Sequence, residues 1–123
     1  MSVYEICFSP TGGTEKAADM LAKGLAEDIQ SVDLTDSRMK FSDVALEKED
    51  IAVIAVPSYG GRVPGTAAER LSAIRGNGAR AILVCVYGNR AYEDTLVELQ
   101  DTAKQAGLRV LSAVAAIAEH SIA

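Results

Sequence analysis

The stretch Ile51-Ala52-Val53-Ile54-Ala55-Val56, running into Pro57-Ser58-Tyr59-Gly60-Gly61-Arg62-Val63-Pro64, decides the fold class. An apolar run with no polar alternation suits a strand covered on both faces, and the Gly/Pro-rich loop behind it cannot continue a strand or a helix. Past the loop, Ala67, Ala68, Leu71 and Ile74 recur at helical spacing, with Gly76 and Gly78 as the expected end. Upstream, Val3–Phe8 is a short β-rich run followed by the turn Ser9-Pro10-Thr11-Gly12-Gly13-Thr14. Ala17, Ala18, Leu21, Leu25 and Ile29 then predict a helix, with Asp19, Lys23 and Glu27 on its other face. Residues 31–34 predict a weaker strand. Thr35–Asp50 is polar and irregular, with Met39, Phe41, Val44 and Leu46 as anchors for a short helix or packed loop. Downstream come a buried strand at Ala81–Tyr87 and a loop at Gly88-Asn89-Arg90. A helix carrying Leu96, Val97, Leu99, Gln100 and Ala103 follows, stopped by Gly107, and then a fifth strand over Leu108–Ile117.

Strands alternating with helices imply parallel pairing through right-handed crossovers, hence a doubly wound five-stranded α/β sheet in the order 2-1-3-4-5. A single domain is expected over residues 1–123. The sequence ends soon after the fifth strand, at Ala118-Glu119-His120-Ser121-Ile122-Ala123, so the final helix of such a sheet is missing. The expectation is a piece of a longer chain, or a second copy that covers the open face as a homodimer; the alternative is a minimal domain that tolerates an open patch.

With 49% hydrophobic and 24% charged residues the chain has ordinary globular composition. No apolar run approaches the roughly 20 residues that cross a bilayer, and the N-terminus lacks the pattern of a signal peptide, so a cytoplasmic protein with no membrane partner is expected. A net charge of −5 argues against nucleic acid as a partner. One His and two Cys are too few to ligate a structural zinc or an iron–sulfur cluster.

In open α/β sheets ligands bind beyond the carboxyl ends of the strands, where strand order reverses. Three unusual loops leave that edge: Ser9–Thr14, Pro57–Pro64 and Gly88–Tyr92. The first places hydroxyls and two glycine amides before a helix N-terminus, which suits a phosphate monoester, although a plain strand-to-helix turn capped by threonine has the same composition. The glycines are not followed by the Lys-Ser/Thr pair of a P-loop, and the dinucleotide fingerprint is missing. A cysteine phosphatase would need arginine where Gly13 stands relative to Cys7. A phosphoacceptor receiver would need Asp where Val56-Pro57-Ser58 ends the third strand.

Ser9-Pro10-Thr11-Gly12-Gly13-Thr14, together with Pro57–Pro64 and Tyr87-Gly88-Asn89-Arg90-Ala91-Tyr92, resembles the flavodoxin family over essentially the whole chain. The likeness is greatest to the flavodoxin-like N-terminal domain of proteins that continue into a ferredoxin-type 4Fe-4S module. The resemblance implies a flavodoxin-like fold, FMN as cofactor and electron transfer as function, with a fused iron–sulfur module or a separate redox protein as partner. It assigns Ser9, Thr11, Gly12, Gly13 and Thr14 to the FMN phosphate. Pro57, Ser58, Tyr59, Gly60 and Gly61 border the isoalloxazine, with Tyr59 stacking on it. Gly88, Asn89 and Arg90 reach the pyrimidine edge, and Tyr92 is a second stacking candidate.

The acidic flavin loops of short-chain flavodoxins are here replaced by loops carrying Arg62 and Arg90. A cation beside the ring favours the reduced anionic flavin and raises its potential; the alternative for each arginine is a solvated charge or a surface salt bridge. An FMN-dependent quinone-type reductase and a flavin-free flavodoxin-like interaction domain are the competing functions. Cys7 and Cys85 are expected to be separated by the third strand and to remain small buried thiols. His120 is expected to be a solvated or satisfied terminal residue.

Overall fold

A computed structural model describes residues 1–88 and 93–117, with the side chain of Glu93 excepted. The strands are β1 (Val3–Cys7), β2 (Ile29–Asp33), β3 (Ile51–Pro57), β4 (Arg80–Tyr87) and β5 (Arg109–Ile117). The helices are α1 (Gly13–Leu25), α2 (Gly65–Ala73) and α3 (Glu93–Gln105), and a single 3-10 turn covers Phe41–Asp43. All pairings are parallel and the order is β2-β1-β3-β4-β5, so the doubly wound sheet expected from the apolar runs is the sheet formed.

The inner strands bury both faces, which is why they lack alternation. Ala52, Ile54 and Val56 turn one way, joining Leu83 and the α2 and α3 residues Ala67, Leu71, Leu99 and Ala103 in the larger core. Val53 and Ala55 turn the other way, joining Val3, Cys7, Val84 and Val86 against Ala18 and Ala22 of α1. The irregular segment packs as expected, through Phe41 and Leu46, and a bridge from Ala45 to Arg75 pins it.

Several boundaries depart from the periodicity reading. The apolar positions of α1 predicted a face through Ala17, Ala18, Leu21, Leu25 and Ile29. Of these Ala18 is buried, in a stripe with Thr14 and Ala22, while Leu21 and Leu25 are exposed and Ile29 opens β2. A helix lying close on a sheet needs small residues at the contact, and periodicity of apolar size does not register closeness of approach. On α3 the inward positions are Thr95, Leu99, Thr102 and Ala103, while Val97 is 59% exposed. Helix α2 ends at Ile74 without a glycine. Gly76 serves a different purpose: a Cβ there would lie 2.7 Å from the Ala106 carbonyl oxygen, so the α2–β4 link can pass the end of α3 only as glycine. Gly107, by contrast, does stop α3. At φ +86 it donates to the Lys104 carbonyl while the Leu108 amide reaches back to Ala103, the paired closure of a Schellman cap.

One side of β5 packs on α3 and the other is open among the described residues. Leu111, the extra residue of a bulge opposite Ala81/Ile82, is 56% exposed, and Val114 and Ile117 are exposed as well. No helix among the described residues is long and apolar enough to cross a membrane.

Candidate functional site

Strands β1, β3 and β4 are adjacent, so the loops that follow them leave the same carboxyl edge at the reversal of strand order. The first loop is tied down before it reaches the helix. Phe8 is held to β3 through its amide and the Ala55 carbonyl, and the Ser9 amide donates to Thr35 Oγ1 at 3.0 Å. Thr35 is itself fixed, its amide donating to Asp33 Oδ1. Gly12 occupies the cap position at φ +90, a backbone state that glycine alone adopts freely, and no side chain caps the helix from that residue. The hydroxyl of Ser9 supplies the cap instead, with its oxygen accepting from the Glu15 amide at 3.0 Å. A threonine cap, the plain alternative for this loop, is therefore not what forms.

Among the described residues the amides of Gly13 and Thr14 donate to no protein acceptor, which leaves free donors at the positive dipole end of α1. Thr11 and Gly13 are exposed and Thr14 is buried. No lysine or arginine lies within Ser9–Thr14. Such an arrangement offers N–H and O–H donors, and no cationic side chain, to a compact anion.

A cavity of about 110 Å3 lies under this loop, lined by Glu5, Cys7, Ser9, Glu15, Ser31, Val32 and Asp33. Glu5 is only 6% exposed. Burial, a hydrogen bond with Asp19 and the charges of Asp19 and Glu15 push its carboxyl up to about 8, against a weaker opposing pull from Lys23. Glu5 therefore holds its proton to a higher pH than a free carboxyl, which lessens the negative charge beneath the loop. Cys7, in the same wall, is pushed up to about 12 by burial and by Glu5, so it stays a thiol. Cys85 is buried with a raised value of about 11, and both cysteines are free, as expected.

The second loop is a two-residue hairpin. Tyr59 and Arg62 exchange backbone hydrogen bonds of 3.0 Å each way, and the residues between them, Gly60 and Gly61, have φ of +59 and +81. That is the mirror-image turn of type I′, which needs positive φ at both central positions. Tyr59 stands 51% exposed at its shoulder. Pro57 closes β3, and the Ser58 amide donates to Val86 of β4.

Helix α3 grips both ends of this loop. Ser58 Oγ and Thr95 Oγ1 are 2.8 Å apart. Glu98 accepts from Arg62 Nη2 at 2.8 Å and from the Val63 amide at 2.7 Å, and Arg62 Nε lies 3.3 Å from both carboxylate oxygens. The Arg62 guanidinium, then the Val63 amide, hold the Glu98 carboxyl below the usual range. Of the two readings open for Arg62, the salt bridge is the one formed.

The third loop begins with half-buried Tyr87 and exposed Gly88; Asn89, Arg90 and Tyr92 lie outside the described residues, as does His120. Sequence reasoning missed Thr35, Thr95 and Glu98. Each acts on a loop from another element, and none belongs to a motif that would single it out.

Comparison with solved structures gives the same fold at low identity. A flavoprotein of Lactobacillus acidophilus NCFM, solved in complex with FMN, is 12% identical with TM-score 0.69, covering 93% of this chain and 92% of that one. A flavodoxin of Streptococcus pneumonia TIGR4 is 23% identical with TM-score 0.62, covering 95% and 85%. Oxidised flavodoxin 1 of Bacillus cereus is 20% identical with TM-score 0.70, covering 96% and 85%. No curated protein matches the chain. The Flavodoxin family model matches residues 6–121, nearly the full length, and the chain belongs to that family.

Proposed function

We propose that this chain binds FMN at the carboxyl edge of its sheet and serves as an electron-transfer domain. The observation that carries the reading is the pair of unsatisfied amides at Gly13 and Thr14 on the same sheet edge as an exposed tyrosine on a Gly-Gly turn. Family membership supports it, and so does the FMN bound by the Lactobacillus acidophilus relative.

Ser9, Thr11, Gly12, Gly13 and Thr14 hold the phosphate. The dianion needs no cation there, because the helix end and the hydroxyls donate to it and the raised Glu5 carboxyl opposes it less than an ordinary carboxylate would. Tyr59 offers its flat face to the ring, with Ser58, Gly60 and Gly61 along the border. The Gly60–Gly61 peptide can reverse: turning it over converts the type I′ turn to type II′, keeps the Tyr59–Arg62 bonds and exchanges an N–H for a carbonyl toward the ring. A proton held at the ring nitrogen can thereby find an acceptor. Gly88, with Asn89 and Arg90, meets the pyrimidine edge, and Tyr92 stacks second. Bound FMN supplies reversible one- and two-electron chemistry; the chain supplies orientation, exclusion of water and the field around the ring. A cytoplasmic redox protein or a fused 4Fe-4S module is the partner, and the acidic surface speeds its docking.

Titration of the flavin-free protein with FMN, followed by fluorescence, tests the reading. Saturable quenching at one FMN per chain is expected. Tyr59→Ala should weaken binding by about two- to tenfold, the equivalent of a stacking contact of roughly 0.5–1.5 kcal/mol. A folded protein that quenches no FMN would sink the proposal.

A further inference from the structure

We propose that Glu98 of α3 is the positioning residue of the Tyr59–Val63 loop, holding the Gly-Gly turn in place and cancelling the Arg62 charge beside the ring. The proposal rests on the FMN reading for its second half and on geometry alone for its first.

The loop has little hold on itself. Between β3 and buried Val63 its own support is the reciprocal Tyr59–Arg62 pairing, and its two glycines are the most permissive backbone available. Beyond the Ser58 amide bond to Val86 of β4, side-chain ties of the loop among the described residues run to α3. Thr95, fully buried, meets the Ser58 hydroxyl at the entrance to the loop. One turn further along α3, Glu98 closes the exit with both carboxylate oxygens engaged. A carboxylate that accepts at once from a guanidinium and a backbone amide makes charge-assisted bonds, stronger than the neutral bonds of the turn itself. Two residues on one helix thus set where the Gly60–Gly61 peptide sits.

The charge follows from the same contact. A free guanidinium at Arg62 would stabilise the more negative, reduced flavin and lift its potential. Paired with Glu98, Arg62 contributes a dipole in place of a full charge. The loop keeps the donor geometry of arginine without the electrostatic consequence that its presence in the sequence suggests. Because α3 begins where the third flavin loop ends, the helix that sets the second loop also borders the third.

The test compares the wild type with Glu98→Gln, which keeps shape and hydrogen-bonding capacity but removes the charge. Trypsin cuts after arginine, so cleavage at the Arg62–Val63 bond in the flavin-free protein reports how firmly the loop is held. Cleavage in Glu98→Gln should run severalfold faster, with other tryptic sites unchanged. In the FMN-loaded variant the reduction potential should move positive, and Arg62→Gln added to Glu98→Gln should bring it back toward the wild-type value. An unchanged cleavage rate overturns the proposal, as does an unchanged potential in a variant that binds FMN. A wild type that binds no FMN sinks the proposed function, and cleavage at Arg62 then decides the role of Glu98 alone.

Discussion

The two faces of the sheet are built on different principles. The face under α2 and α3 is packed with large side chains, Ile6, Ile54, Leu71, Leu83 and Leu99 among them, and it carries twenty of the buried core residues described. The face under α1 has eight, mostly valine and alanine, and places the buried carboxyl of Glu5, beside half-buried Asp19, where the other face has leucine. The Tyr59–Val63 loop is tied to the first face through α3, and the Ser9–Thr14 loop to the second through α1. The half of the proposed site meant for a flat ring is therefore anchored by hydrophobic packing, and the half proposed for an anion rests on a helix whose seat contains a protonation equilibrium.

The largest effect should come from the packed face. Leu83 is fully buried on β4 in the core shared with α2 and α3, and Leu83→Ala removes its methyl groups and leaves a cavity, a loss of about 2–5 kcal/mol. Denaturant unfolding measures it. A loss as small as a surface substitution gives would mean that the two faces do not differ in packing as described.

The faces also differ in how plainly the sequence announces them. Continuous apolar runs at 51–56 and 81–87 marked the inner strands, and the order of strands and helices then left one familiar topology. What misled was α1. Leu21 and Leu25 dominate its apolar periodicity, yet Ala18 and Ala22 face the sheet, because close approach selects for small volume and a size-weighted pattern points the other way. The same happened on α3 with Val97 and Thr95. The loops were legible from glycine, serine and threonine content, which states their local conformation. Their fastenings were not: Thr35, Thr95 and Glu98 reach them across the fold, and contacts of long sequence separation leave no local trace.

The second prediction works on the α1 face and turns on sign. Unfolded, Glu5 titrates near 4.5; in the native chain it titrates at about 8. Between those values the native state keeps a proton that the unfolded chain has released, so stability declines as pH rises through that window and the contribution is gone above it. Asp19, Glu15 and Lys23 of α1, and Cys7 and Asp33 at the cavity wall, are the charged or titratable groups around it. Glu5→Gln is neutral at every pH and still able to donate to Asp19, so it should flatten the decline and surpass the wild type in alkaline buffer. Thermal unfolding of both proteins across pH ~5 to ~9 checks this. A wild-type Tm that holds constant over the range would show that Glu5 is ionised, and the contrast between the faces would reduce to packing alone.

The smallest expected effect lies at the edge of the α1 face, and its smallness is informative. Leu111 is the bulged residue of β5 and more than half exposed, so it contributes little burial to the fold. Leu111→Ser should change stability by no more than about 0.5 kcal/mol, the ordinary range for a surface position. The bulge tolerates the change because the extra residue pairs with no partner on β4. The result depends on whether the open side of β5 meets only water, and dilution separates the cases. A fold that closes by itself has a Tm independent of protein concentration, in wild type and variant alike. A wild type whose Tm falls on dilution while that of Leu111→Ser stays at the lower value would mean that a second copy covers this edge, since only an association step makes stability depend on concentration. In that event the α1 face would be completed by its neighbour, and its thin packing would be half of a larger core.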